Sequence, residues 1–374
     1  MSLFIGLMSG SSLDGVDGVL AEFEPQHTGR DAMRLRAHHH APLDDTLRAE
    51  LLALNESGQD ELHRGALAAN ALMRTYAGVV SGLLRQCNVA ASQVRAIGAH
   101  GQTVRHRPQE FDGTGYSLQL MNGALLAELC DIDVVCDLRS RDVAAGGQGA
   151  PLVPALHAAL FAEHGKDIAV LNLGGIANLT CLAADGAVRG FDCGPGNVLL
   201  DMWCQRHQHK PFDAGGRWAA GGTVDEPLLQ HLLSEPFVQR PPPKSTGRDL
   251  FNPAWLERAL RYGAALAAVD VQATLVEFSA RCATDALKSL APHTAKLLVC
   301  GGGAFNAELM RRLAAHLLAA SVHSTEAAGI PPLQVEALAF AWLAQAFVAR
   351  LPGNLPAVTG ARGPRVLGAL YPAA

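Results

Sequence analysis

Three glycine-rich turns follow short apolar runs: Ser9-Gly10-Ser11-Ser12-Leu13-Asp14-Gly15, Asn172-Leu173-Gly174-Gly175-Ile176-Ala177-Asn178 and Cys300-Gly301-Gly302-Gly303-Ala304-Phe305-Asn306. Small residues let backbone N–H groups approach an anion, and serine hydroxyls add donors. Asp14 would sit near bound phosphates and could orient a hydrated Mg²⁺. The third turn passes from a strand into a helix, whose unpaired N–H groups suit a phosphate. Each turn alone also reads as a tight connection, with Asp14 capping the backbone. Three such turns after apolar strands weigh more than one. A fourth cluster, Gly190-Phe191-Asp192-Cys193-Gly194-Pro195-Gly196-Asn197, ends a strand on a carboxylate before a Gly-Pro-Gly turn. Asp192 there can serve as a general base, or merely cap the turn.

Four further groups carry polar chemistry. Arg139 to Pro151 sets Arg139, Arg141, Asp142 and Gln148 among flexible glycines. Arginine pairs with a carboxylate, while Asp, Gln and backbone bind hydroxyl or amide groups; a surface loop stitched by ion pairs is the plainer reading. His100-Gly101-Gln102-Thr103 follows a strand and reads equally as a β-turn with a satisfied histidine. Lys244-Ser245-Thr246-Gly247-Arg248-Asp249 is a basic loop able to close on phosphates. Glu336 begins an apolar helix, where the helix dipole favours a carboxylate. No GxxxxGK[ST] occurs and no GxGxxG follows a strand, so neither a P-loop nor a dinucleotide fold is supported. If the chain binds ATP, it does so through paired hairpin turns.

These groups need a scaffold, and the composition supplies one. The chain has 374 residues, 49% hydrophobic and 17% charged, enough for about two domains with a sizeable core. A net charge of −5 argues against non-specific nucleic-acid binding. The eight cysteines are scattered without a CxxC pair, so buried free thiols in a reducing compartment are expected. Residues 1–8 do not form a signal peptide, and no apolar stretch is long enough to span a membrane; a cytoplasmic protein is expected. His38, His39 and His40 belong on or next to a strand rather than at a metal site.

Periodicity places strands at 3–8, 16–23, around 33–37, 94–100, 117–120 and 134–137, and helices at 43–54, 60–86 and 123–130. A Gly-rich passage over 141–154 precedes a helix at 155–164. Strands follow at 168–173, 177–182, 188–192 and 296–300. Helices are expected at 197–207, 226–233, 270–290 with Asp270 as N-cap, 304–318 and 335–349. Each half therefore opens with strand, glycine turn, strand and strand. A duplicated α/β unit with a cleft between two lobes is expected, lobe I being 1–136 plus 340–374 and lobe II 137–339. The stretches 212–222 and 241–243 read as surface loops or lid edges.

Taken in order, the segments resemble the anhydro-N-acetylmuramic acid kinase family. They are MSGSSLDGVD at 8–17, GAHGQTVRH at 98–106, RDVAAGGQGAPLVPA at 141–155, LNLGGIAN at 171–178, GFDCGPGNVLLD at 190–201, KSTGRDLFN at 244–252, CGGGAFN at 300–306 and LPGNLPAVTGARGPRVLGALYP at 351–372. The resemblance covers nearly the whole chain. Ser11 stands where the family usually has Thr, and the hydroxyl is retained. The resemblance implies a two-lobed actin, hexokinase and Hsp70-like (ribonuclease H-like) fold using ATP and Mg²⁺. It implies hydrolytic opening of 1,6-anhydro-N-acetylmuramic acid with phosphorylation of O6, in peptidoglycan recycling. Asp192 would activate the water. His100, Gln102, Thr103, Arg141, Asp142, Gln148 and Glu336 would hold the sugar. Ser9, Gly10, Ser11, Ser12, Leu13, Asp14, Gly15, Val16 and Asp17 would cradle the ATP phosphates, with Asn172, Gly174, Gly175, Asn178, Gly301, Gly302, Gly303 and Asn306 completing the nucleotide site. Family members suggest a homodimer; no nucleic-acid or membrane partner is implied, and no metal-coordinating residue is legible. A conventional sugar kinase and a nucleotide switch with a protein partner are the competing readings.

Overall fold

Alternation along the first apolar run decides what it packs against. In β1 (Ser2–Met8), Ile5 and Leu7 share one face and Phe4 and Gly6 the other, following the two-residue period of a strand. The structure is a computed structural model describing residues 1–10, 13–24, 32–242, 244–247, 250–261 and 266–374. The chain divides into two units, residues 1–159 with 334–374 and residues 160–333.

In the first unit, β1 pairs antiparallel with β2 (Gly15–Glu24), and β2 with β3 (Ala32–Pro42). On its other side β1 runs parallel to β4 (Val94–Ala99). β5 (Gln102–Pro108) and β6 (Gly115–Leu120) form a separate hairpin. β7 (Val134–Cys136) is parallel to β4, and the C-terminal strand Ala369–Tyr371 closes that edge antiparallel to β7. Ile5, Leu7 and Ile97 meet Leu72, Met73, Tyr76, Val79 and Leu83 of the helix Glu61–Cys87. The opposite face is nearly flat, because Gly6 and Gly98 are register neighbours in β1 and β4. A Cβ on Gly6 would come within 1.9 Å of the Ala337 carbonyl oxygen, and one on Gly98 within 2.0 Å of that of Phe340. The helix Val335–Val348 therefore lies directly on the sheet backbone, which explains why it is apolar on nearly every side.

The second unit repeats this plan. β8 (Ile168–Leu173) pairs antiparallel with β9 (Ile176–Leu182), β9 antiparallel with β10 (Val188–Pro195), and β11 (Lys296–Cys300) and β12 (Ser321–Ser324) continue parallel from β8. The sheet order β10-β9-β8-β11-β12 matches β3-β2-β1-β4-β7 position for position. Val271, Leu275, Phe278 and Cys282 of the helix Ala268–Leu290 sit in its core with Leu171, Leu179 and Phe191.

Several expected elements shift for physical reasons. Gln102 and Thr103, expected to lie beyond a strand end, open β5, which runs on to Pro108; arginines and a histidine hide its alternation, and pairing with β6 supplies its partners. The Gly-rich passage contains a short helix, Ser140–Ala144. Asp270 does not cap its helix: Ala267 is the N-cap, and the Asp270 carboxylate accepts the Thr223 N–H at 2.7 Å. After the third glycine turn, Gly302–Phe305 is a 3₁₀ turn, and the α-helix starts only at Ala307 because Asn306 caps it, accepting the Leu309 N–H at 3.0 Å. The three histidines lie on β3 as expected. All eight cysteines are free, six of them buried. Among the described residues, no helix is long and apolar enough to cross a membrane.

Candidate active site

Asp192 lies near the end of β10, where a register shift between Asp192 and Gly194 marks a bulge. Bulges re-aim side chains next to functional sites. The carboxylate is buried and held from two sides. Oδ1 accepts from Nδ2 of Asn178, its cross-strand neighbour on β9, and Oδ2 accepts the Thr246 N–H at 2.9 Å. A third link joins the Asp192 N–H to the Lys244 carbonyl at 3.1 Å. Asn178, expected at the nucleotide, is thus joined to Asp192. Lys244 is buried too: its amine donates to the carbonyls of Phe237 at 3.1 Å and Val238 at 2.9 Å. Burial lowers its pKa. Pro243, Arg248 and Asp249 of this segment lie outside the described residues.

Three glycine loops of the second unit meet beside this carboxylate's strand. The carbonyls of Gly174 and Gly175 accept the N–H groups of Asn197 at 2.8 Å and Gly196 at 2.9 Å. The Asn197 side chain donates to the Leu173 carbonyl at 2.8 Å. Gly301 has φ +79°, and a Cβ there would lie 2.5 Å from Asn172 Oδ1; only glycine fits such a position easily. Gly303 presses as closely on Leu173. At Gly174 and Gly302, by contrast, the nearest atoms to a Cβ would be 3.6 and 3.8 Å away. The loops are closely packed at Gly301 and Gly303, while a Cβ at Gly174 or Gly302 would make only ordinary contacts; Gly302 is exposed and Gly174 half-buried. Asn172 is buried, and Asn306 serves as the helix cap.

The first glycine turn belongs to the other unit. The Ser9 hydroxyl is buried and donates to the Gly101 carbonyl at 3.1 Å, leaving it to accept from Tyr76 at 3.0 Å. The side chains of Leu13 and Val16 are in the core, so only their backbones remain for a ligand. Asp17 Oδ1 is shared by His38 Nε2 at 2.9 Å and His40 Nδ1 at 3.2 Å. Gly10 accepts from Gln102 Nε2 at 3.3 Å. Asp14 is exposed and Gly15 is buried; Ser11 and Ser12 lie outside the described residues.

The expected sugar-holding residues separate into supports and presented groups. His100 is buried against Phe340, and its Nε2 accepts from Arg139 Nε at 3.1 Å and Nη2 at 2.9 Å. Arginine has no acceptor, so this network assigns the histidine proton to Nδ1. Burial first, and the Arg139 charge second, hold the imidazole well below its usual pKa. Arg139 also donates to the Gly149 carbonyl at 2.7 Å. Asp142 is fully buried. Its oxygens accept from Asn354 Nδ2 at 2.6 Å, Thr359 Oγ1 at 2.8 Å and the Gly149 N–H at 2.8 Å. Gln102 is buried, and Thr103 Oγ1 accepts from Gln119 at 3.1 Å. Arg141 is exposed and has no side-chain hydrogen bond or ion pair among the described residues. Gln148 is half-buried, its N–H fixed on the Thr359 carbonyl at 2.8 Å. Glu336 lies half-buried in the first turn of its helix.

Sequence reasoning missed Tyr76, Thr246, Asn354 and Thr359 as members of these networks. The isolated polar residues inside LPGNLPAVTG were the available signal for the last two. A separate depression of about 450 Å³ lined by Trp203, Arg206 and Leu256 contains none of the candidate residues.

Two sheets that share a five-strand order, each with a glycine turn between its first two strands, define the duplicated ribonuclease H-like fold of the actin, hexokinase and Hsp70 class. Residues 2–373 match the family model for anhydro-N-acetylmuramic acid kinase. The chain is 61% identical to the anhydro-N-acetylmuramic acid kinase of Variovorax paradoxus (strain S110), covering 99% of each protein. It is 60% identical to that of Bordetella petrii, covering 99% of this chain and 96% of the relative. Among solved structures it is similar to the activator of the 2-hydroxyisocaproyl-CoA dehydratase from Clostridium difficile, at TM-score 0.45 and 14% identity over 93% of this chain and 97% of that one. The chain belongs to the anhydro-N-acetylmuramic acid kinase family.

Proposed function

We propose that this protein is an ATP-dependent kinase that opens 1,6-anhydro-N-acetylmuramic acid with water and phosphorylates O6. The products are N-acetylmuramic acid 6-phosphate and ADP, formed in cell-wall recycling in the cytoplasm. The observation that carries the mechanism is the buried Asp192 carboxylate, oriented by Asn178 and Thr246 beside a glycine floor. Asp192 takes one proton from water as the water oxygen bonds to C1. The C1–O6 bond breaks, and its electron pair leaves O6 able to attack the γ-phosphorus. The β–γ bridging bond then breaks and ADP departs. The proton on Asp192 passes to solvent, which closes the balance.

The exposed Gly302 and the uncrowded Gly174 suit the polyphosphate, and the exposed Arg141 guanidinium suits the lactyl carboxylate. Glu336 and Gln148 supply acceptors and donors for hydroxyl and amide groups. Among the described residues, no group of three or more His, Cys, Asp or Glu side chains gathers to hold a metal. Mg²⁺ would be carried mainly by phosphate and water, as is usual for this ion, and would neutralise phosphate charge. Asp14, expected from the sequence to sit near the phosphates, would orient the hydrated ion.

The test is ADP release with Mg-ATP and the anhydro sugar, against free N-acetylmuramic acid and no sugar. Turnover with the anhydro sugar alone is expected. Asp192→Asn should bind ATP but lose about 10²–10⁴-fold in kcat. Turnover with the free sugar alone would mean a conventional kinase, and ADP release without sugar a nucleotide switch.

A further inference from the structure

We infer that Lys244 is a positioning residue for Asp192 and not a phosphate contact. The inference rests on Asp192 being the base. Lys244 opens the basic segment KSTGRD, whose charge suggests an anion partner, yet its amine turns inward. The residue is 8% exposed. Its Nζ donates to the carbonyls of Phe237 and Val238 in the short helix Pro236–Gln239, and lies 4.9 Å from the centre of the Phe237 ring. It also sits 6.0 Å from the ring centre of Phe191, the residue before Asp192.

The backbone of this anchored lysine forms the first half of a clasp on Asp192. The Lys244 carbonyl accepts the Asp192 N–H at 3.1 Å, fixing the strand end. Two residues later the Thr246 N–H donates to Asp192 Oδ2 at 2.9 Å, fixing the carboxylate. Asn178 holds the other oxygen. The side chain of Lys244 thus secures residues 244–246, and these secure the base. A carboxylate held by N–H donors at both oxygens presents one orientation to a water, and misplacement of a reacting group is costly.

The charged and titratable groups around the amine agree with an anchoring role. Asp192 and Cys193 approach from β10, Cys282 from the helix Ala268–Leu290, and Arg240 from beyond the helix Pro236–Gln239. Burial pushes the Cys193 thiol up to about 12 and the Cys282 thiol well above its usual value, so neither supplies a thiolate at neutral pH. The two helix carbonyls are therefore the amine's principal partners.

The test compares Lys244→Met, which keeps the stem and removes the donors, with Thr246→Pro, which deletes the N–H that reaches Asp192. Folding is checked by circular dichroism, and kcat, KM for ATP and the pH profile of kcat/KM are measured with the anhydro sugar. Loss of a charge-assisted hydrogen bond should lower kcat by about 10- to 100-fold in both variants. The acid limb of kcat/KM should move to higher pH, because an N–H donor favours the ionised carboxylate. KM for ATP should stay within about threefold, since the strap does not touch phosphate. A folded Lys244→Met with kcat within about threefold and an unmoved acid limb overturns the inference. So does a rise in KM for ATP of more than about tenfold with kcat retained, which marks a phosphate contact. If Lys244→Met does not fold, Thr246→Pro decides by the same limits. The base reading is judged separately: Asp192→Asn within about tenfold of wild type removes it, whatever the strap variants do.

Discussion

Asp142→Ala should destabilise the first unit by about 3–5 kcal/mol, because the carboxylate is the meeting point of three buried donors. The Gly149 N–H has no second acceptor among its described bonds and bears the full penalty of an unsatisfied buried donor. Thr359 Oγ1 can fall back on the Leu355 carbonyl, and Asn354 Nδ2 on that of Gly363, but both are long at 3.4 Å. They recover only part of what is lost. Against a usual total of about 5–15 kcal/mol this is a large fraction. Urea denaturation followed by far-UV circular dichroism measures it. Asp142→Asn adds the functional arm. Whichever way it is turned, its NH2 would face a donor, Asn354 Nδ2 or the Gly149 N–H, and Asn354 cannot flip without losing the Arg365 N–H, which its Oδ1 accepts at 2.7 Å. Both variants should therefore lower stability first. Activity would follow only as the loop bearing Arg141 and Gln148 loosens. A loss below about 1 kcal/mol, with KM for the sugar raised more than tenfold, would refute this reasoning and make Asp142 a ligand contact.

Three further outcomes follow from the same structure. Gly98→Ala should cost about 1–3 kcal/mol or more, since its Cβ would lie 2.0 Å from the Phe340 carbonyl oxygen and must lift the helix Val335–Val348; an unchanged melting temperature would show that the helix yields freely. Burial lowers His157 to about 3 from an ordinary 6.5. Between those values the unfolded chain binds a proton that the folded chain refuses, so stability should fall as pH drops through that window, by up to about 1.4 kcal/mol per pH unit. His157→Gln should flatten the slope of urea-derived stability between pH 7 and 5, and equal slopes would reject the assignment. Arg141→Ala should raise KM for the anhydro sugar by about tenfold or more and leave KM for ATP unchanged; no change in either would remove Arg141 from the site.

The fold was legible where one physical signal dominated. Helical stripes located Glu61–Cys87 and Ala268–Leu290, and apolar runs beside glycine turns located β1, β8 and β11. β5 was not legible, because Arg105, His106 and Arg107 mask its alternation and its pairing with β6 is a tertiary fact. The same limit applies to the site. Residue types marked His100, Asp142 and Lys244 as chemically able, but burial is not written in a type. Asp142 meets Asn354 and Thr359 across more than two hundred residues, and no local pattern encodes that encounter. Asp192 was easier to single out because its setting, a carboxylate closing an apolar run before Gly-Pro-Gly, is local, although β10 continues past it to Pro195.

The duplication itself bears on why the proposed base falls in the second unit. β2 and β9 occupy the same place in the two sheets, as do β3 and β10. The third residue of β2 is Asp17, paired across to His40; the third residue of β9 is Asn178, paired across to Asp192. The two units thus place a polar cross-strand pair at the same point with the carboxylate on opposite strands. In the first unit two imidazoles share Asp17 Oδ1, each a donor or an acceptor according to its tautomer. In the second, Asn178 offers an amide N–H that neither gains nor loses a proton there. A carboxylate oxygen held by an amide donor has one hydrogen-bonding arrangement, whereas one shared between two imidazoles has several. That single arrangement supports the proposal that Asp192, rather than Asp17, is the base. Replacing Asn178 by His should split that role and broaden the acid limb of kcat/KM; an unchanged profile would break the link between the amide and the base.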